Sequence, residues 1–146
     1  MCEAMKIPVF RLDTELPLPS HSHPGDAGVD LRSVITTTLA PGERVLVPTG
    51  VAFEIPARHC ALVMPRSGLA LKHGISIVNS PGLIDSGYRG EIKVTLINHG
   101  TEPFDVVRGE RIAQLVVVPY VTQEIVAVEN LTDTSRGDGG YGSTGA

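Results

Sequence analysis

Five stretches of this chain combine acids, cations, hydroxyls and glycines in patterns suited to binding or catalysis. In Gly82-Leu83-Ile84-Asp85-Ser86-Gly87-Tyr88-Arg89-Gly90, preceded by Asn79-Ser80-Pro81, an aspartate is pushed into a turn bounded by glycines. Such an Asp either caps a hairpin turn or is a carboxylate held against a ligand by the flanking strands. In Pro65-Arg66-Ser67-Gly68-Leu69-Ala70-Leu71, a cation and a hydroxyl stand where a short helix would begin. Free amides and the positive end of a helix dipole favour a phosphate there, although an ordinary N-cap serine would look the same. The C-terminal Arg136-Gly137-Asp138-Gly139-Gly140-Tyr141-Gly142-Ser143-Thr144-Gly145 combines one Arg, one aromatic ring and paired hydroxyls with close-spaced glycines. A lid ordering over a phosphorylated ligand needs those types, while a plain disordered end needs none of them. It is not a P-loop, since no Gly-Lys-Ser/Thr ending follows and no strand–helix unit surrounds it. Gly25-Asp26-Ala27-Gly28-Val29-Asp30-Leu31 sets two carboxylates on an early strand, and Gly109-Glu110-Arg111-Ile112-Ala113-Gln114-Leu115 opens a late one.

The elements that must position these groups are short strands. β-branched runs at residues 44–47, 51–55, 61–64, 75–78, 91–98, 104–107, 113–118 and 123–128 are separated by Pro- and Gly-containing turns. Within 91–98, Ile92, Val94 and Leu96 alternate with Glu91, Lys93 and Thr95, the period of a strand with one buried face. Only residues 67–73 look helical. The expected class is therefore all-β, a sandwich or barrel with one short helix, and the first segment, to about Pro24, is expected to be strand plus loop. The domain is expected to span residues 1–131. A mobile Gly-rich lid is expected over 132–146, because that composition cannot offset its ordering entropy by burial.

Composition narrows the functional classes. The 146 residues suffice for one core, and with 4% aromatics and no Trp that core must be Val, Ile and Leu. The net charge of −4 and the lack of a basic run speak against a nucleic-acid backbone as partner. No apolar stretch approaches a membrane span, and the N-terminus lacks a signal-peptide core, so a reducing cytoplasm is expected. Cys2 and Cys60 are too few for a disulfide framework, and Cys60 is read as a small buried hydrophobe. The five histidines show no zinc-ligand spacing tied to cysteine, and His21 and His23 are read as part of a solvated loop.

In this order, the segments 27–31, 65–71, 79–91, 109–115 and 136–145 resemble the five motifs of the trimeric dUTPase family, across nearly the whole chain. The resemblance implies a jelly-roll-like β-barrel protomer in a homotrimer, with three active sites at subunit interfaces, each completed by a neighbour's tail. It implies hydrolysis of dUTP to dUMP and pyrophosphate with Mg²⁺ as cofactor. Asp85 matches the water-activating carboxylate, and Asp30 matches the residue that meets the metal through its waters. Arg66, Ser67, Gly68 and Gln114 match phosphate contacts, and Arg136, Ser143 and Thr144 match those of the closing lid. Asn79, Leu83 and Ile84 match the uracil-reading hairpin, Tyr88 the packing under deoxyribose, Tyr141 the ring stacked on the base, and Lys93 a position associated with substrate. Tyr141 stands where the family more often has Phe or His, and Glu110 where Asp is common. The rival readings are a dCTP deaminase of the same fold and a non-enzymatic regulatory protein on this scaffold.

Overall fold

A computed structural model describes residues 5–140. Eleven strands and one helix follow in chain order: β1 (Val9–Arg11), β2 (Val29–Arg32), β3 (Thr37–Leu39), β4 (Arg44–Pro48), β5 (Val51–Phe53), β6 (His59–Met64), α1 (Ser67–His73), β7 (Ile75–Ile77), β8 (Gly82–Ile84), β9 (Lys93–Asn98), β10 (Phe104–Val106) and β11 (Arg111–Pro119). Every ladder is antiparallel. The strands form a four-stranded sheet in the order β2-β11-β6-β8, a three-stranded sheet β4-β9-β7, and the pairs β1-β5 and β10-β3. These small sheets wrap one aliphatic core, as the all-β, jelly-roll-like expectation required.

The alternation in β9 does what its period predicts. Val94, Leu96 and Asn98 are buried, as is Ile92 just before the strand, while Lys93 is exposed and Thr95 and Ile97 only partly covered. Asn98 can be buried because its amide is fully used: Nδ2 donates to the carbonyls of Leu39 and Glu102 at 3.0 and 2.8 Å. Its Oδ1 accepts from the Gly100 amide at 2.8 Å. A buried amide left unpaired would cost about 1–3 kcal/mol per group. Cys60 is buried and unpaired to any other cysteine among the described residues, as expected of a small hydrophobe.

Two expectations need correction. Residues 123–128 form no strand; they have no ladder partner among the described residues, and Ile125, Val126 and Val128 are 87%, 67% and 63% exposed. β-branched composition favours a pleated surface but cannot supply the second strand that makes one. Conversely, Gly82–Ile84, read as a turn, is a short strand on β6, with Leu83 opposite Leu62. The helix has the predicted bounds, Ser67–His73.

Candidate active site

The four-stranded sheet brings one group of the predicted residues together. In β11, Gln114 lies opposite Asp30 of β2 and Met64 of β6, so the three side chains share one face. Beyond Met64 the chain turns through Pro65 into the helix. Arg66 is the N-cap residue, in extended geometry and with no side-chain cap, so first-turn amides of Ser67 and Gly68 have no competing side-chain acceptor. Gln114 Nε2 donates to the Pro65 carbonyl at 3.0 Å and ties this turn to the sheet. Asp30, Arg66, Ser67, Gly68 and Gln114 thus line one cavity of about 350 Å³ together with Ser22 and Asp26.

The electrostatics of this cavity centre on Asp30. Its Oδ1 lies 3.4 Å from Arg66 Nε, and its Oδ2 accepts from Arg111 Nη1 at 3.1 Å and from the Ser22 hydroxyl at 2.8 Å. Burial by itself would push this carboxyl up. The Ser22 hydrogen bond and the Arg111 and Arg66 charges outweigh it and hold Asp30 below the usual carboxylate range. The site is therefore an anionic carboxylate beside two guanidiniums.

A second group gathers on the hairpin that leaves β8. Leu83, Ile84, Asp85, Tyr88 and Lys93 line a cavity of about 330 Å³ with Glu91 and Ile92. The turn is braced from within. Tyr88 N donates to the Asp85 carbonyl at 3.1 Å, and Arg89 Nη1 to the carbonyls of Ser86 and Tyr88 at 2.6 and 3.1 Å. The Tyr88 hydroxyl donates to the Glu91 carbonyl at 3.0 Å, folding the ring over Gly90. A Cβ at position 90 would come within 2.5 Å of that hydroxyl, so a side chain there would push the Tyr88 ring aside. Glu91 Oε1 accepts from the Gly50 amide at 2.9 Å, and its Oε2 is 3.9 Å from Lys93 Nζ. Asn79 flanks this hairpin beside Gly82, exposed and outside the cavity lining.

The two cavities have no lining residue in common. One chain therefore presents a polar cavity around Asp30, Arg66 and Gln114 and, separately, a carboxylate-bearing hairpin. Arg136 joins neither: it is exposed, and its Nε donates to the Gly139 carbonyl at 2.9 Å in a local turn. Tyr141, Ser143 and Thr144 lie outside the described residues. Three contributors were missed in the sequence. Arg111 and Glu91 lay inside matched segments without an assigned role, so their charge was the available signal. Ser22, in a polar loop, offered none.

Comparison with known proteins specifies the class to which this antiparallel all-β fold belongs. Residues 14–145 match the dUTPase family model, and the chain belongs to that family. It is 56% identical over 140 residues to the deoxyuridine 5'-triphosphate nucleotidohydrolase of Nocardia farcinica, covering 95% of this chain and 85% of that protein. It is 58% identical over 130 residues to the protein of that name from Anaeromyxobacter sp., covering 89% of this chain and 88% of that one. Among solved structures, a Staphylococcus bacteriophage 80alpha dUTPase variant with dUpNHpp superposes with a TM-score of 0.90 at 29% identity, covering 98% of this chain and all of that one. A dUTPase variant from phage phi11 of S. aureus, whose structure describes the coordination of a structural Mg(II) ion, gives 0.79 at 28% identity, over 86% and 98% of the two chains.

Proposed function

We propose that this chain hydrolyses dUTP to dUMP and pyrophosphate by attack of water at the α-phosphorus, in a homotrimer whose sites combine half-sites from different subunits. The observation that supports the reading is that the residues expected to bind phosphate and the carboxylate-bearing hairpin line different cavities of one chain. Association is further supported by an apolar groove of about 690 Å³, uncovered among the described residues, that includes Met5, Ile7, Val9, Val29 and Val117. The extended segment beyond β11 also exposes Val121, Ile125 and Leu131, at 82%, 87% and 87%. Apolar surface of that extent is normally covered by a partner.

Hydrolysis of a triphosphate needs a positioned water and neutralised oxygens. In this reading Asp85 orients the water and accepts its proton, which requires approach to about 2.6–3.2 Å. Arg66 and the amides at Ser67 and Gly68 hold phosphate oxygens, and Gln114 contributes a further polar contact. The hairpin at Asn79, Leu83 and Ile84 meets the uracil edge with backbone donors and acceptors. Cytosine would leave these groups mispaired, which is a strong basis for rejection. Tyr88 lies under the deoxyribose and excludes a 2′-hydroxyl. Residues 132–146 act as a lid in which Arg136, Ser143 and Thr144 reach the outer phosphates and Tyr141 stacks on the base, while 1–131 form the domain. Lys93, at the rim of the hairpin cavity, is a peripheral substrate contact.

The donor set fits Mg²⁺. No group of three or more His, Cys, Asp or Glu that could hold an ion occurs among the described residues, and the phosphate cavity offers the carboxylate of Asp30. That suits an ion which keeps several waters and binds mainly to substrate oxygens, with Asp30 meeting it through water. When bound, it would neutralise charge on the phosphate oxygens.

No helix among the described residues is long and apolar enough to cross a membrane, and the absence of a basic run argues against nucleic acid as a partner. The proposed setting is a reducing cytoplasm. The test is pyrophosphate release from each deoxynucleoside triphosphate and from UTP, with and without Mg²⁺. Turnover of dUTP alone, dependent on the ion, is expected. Comparable turnover of dTTP would overturn the uracil pocket, and ammonia released from dCTP would make the protein a deaminase. Sedimentation of the active species checks assembly: a fully active monomer would overturn the shared site.

A further inference from the structure

The Asp30 carboxylate is gripped by a residue that lies outside the five motif-like segments. Ser22 donates its hydroxyl to Asp30 Oδ2 at 2.8 Å, and Arg111 Nη1 reaches both Asp30 Oδ2 and Ser22 Oγ at 3.1 Å. The three side chains close a ring. Ser22 is carried there by a loop that folds back on β2. Asp30 N donates to the Ser20 carbonyl at 3.2 Å, His23 N to Asp26 Oδ2 at 2.8 Å, and His21 Nδ1 lies 3.0 Å from the Gly28 carbonyl.

The consequence for Asp30 is asymmetric. Oδ2 has two strong donors, whereas Oδ1 has only Arg66 Nε at the longer distance of 3.4 Å. Arg66 also donates Nη1 to the Arg111 carbonyl at 3.2 Å, so it can swing towards a phosphate only by giving up its contacts on this side. Without the Arg66 contact, the Ser22–Arg111 pair would remain on Oδ2 and Oδ1 would have no donor among the described residues. A carboxylate with one oxygen saturated offers a single acceptor to water bound on a cation and is a poor bidentate chelator.

We infer that Ser22 is a positioning residue for the cation-binding half of the site, acting through Asp30 by fixing Oδ2 so that Oδ1 faces the metal-bound waters. This rests on the role given to Asp30 in the proposed function. It predicts that the Ser22 hydroxyl governs metal affinity in the nucleotide complex, and that it has no such effect once the carboxylate is gone.

The experiment titrates Mn²⁺ into the full-length protein bound to a non-hydrolysable α,β-imido dUTP analogue, followed by electron paramagnetic resonance of free and bound ion. The variants are Ser22→Ala, Ser22→Thr, Asp30→Asn and the Ser22→Ala/Asp30→Asn double. Ser22→Ala is expected to weaken Mn²⁺ binding about fivefold, the scale of one hydrogen bond. Ser22→Thr, which keeps the hydroxyl, should restore it. In the Asp30→Asn background, Ser22→Ala should change nothing further, because coupled residues are not additive. If Asp30→Asn weakens the ion and Ser22→Ala does not, or if Ser22→Ala acts equally in both backgrounds, the role of Ser22 is overturned. If Asp30→Asn itself leaves Mn²⁺ binding unchanged, the fault lies in the role given to Asp30.

Discussion

Gly28 and Gln114 approach so closely that a Cβ on residue 28 would sit 2.8 Å from Gln114 Oε1. The glycine at the entrance to β2 therefore sets where the Gln114 amide can lie, and that amide holds the Pro65 carbonyl just ahead of Arg66. Backbone bulk in one strand controls the phosphate loop through a side chain in the next.

Gly28→Ala tests that link. The displaced atom is the far end of a flexible side chain, so the fold should accommodate the methyl group with little change in melting temperature. The KM for dUTP should rise about fivefold, as for the loss of one hydrogen bond. Combined with Gln114→Ala, the effect should be less than additive. Steady-state kinetics on the three variants decides it, and a simple sum would mean that position 28 acts elsewhere.

Asp85→Asn keeps the shape of the turn but removes the proton acceptor. Turnover should fall by roughly 10²–10⁴-fold, the usual worth of a general base. Affinity for the imido analogue should stay near that of the parent, since the hairpin is braced by Tyr88, Arg89 and Glu91 rather than by this carboxylate. Full turnover in the variant would remove Asp85 from the mechanism.

Deleting residues 136–146 should lower turnover on the order of 100-fold, since each preorganised charge contact is worth at least tenfold. The melting temperature should hardly move. The hydrogen bonds of residues 134–139 are local, Gly137 N to Thr134 and Gly139 N to Arg136, and nearly all of this stretch is exposed. A large drop on calorimetry would mean that the tail is part of the fold.

Acid stability should report two carboxylates. The hydrogen bond from Arg108 is the main cause that holds Asp13 low, and Asp30 is held low by Ser22, Arg111 and Arg66 against the opposing effect of burial. Both are deprotonated more readily in the folded chain than in the unfolded one. Their contribution is therefore complete at neutral pH and is lost as pH falls below about 4, through the depressed folded values. Thermal melts from pH 7 to pH 3 should show Asp13→Asn and Asp30→Asn less stable at pH 7, with a shallower fall below pH 4. Curves parallel to the parent would show that these carboxylates carry none of the acid sensitivity.

Elements with a local signal were legible in the residues alone. In β9 the alternating period became the buried Val94 and Leu96 facing away from Lys93, and the short apolar run beginning at Ser67 became the helix. The types of the site residues were legible for the same reason: a cation, a hydroxyl and a carboxylate each carry their chemistry with them. Only tertiary structure could decide partnership. Residues 123–128 have strand composition and no second strand, whereas Gly82–Ile84 is too short to show a period and is a strand because β6 lies beside it. Ser22 meets Arg111 across 89 residues of chain, a contact created by β2 pairing with β11. Periodicity acts over a few bonds, while a ladder or an ion-paired ring exists only once distant segments have been brought to one face.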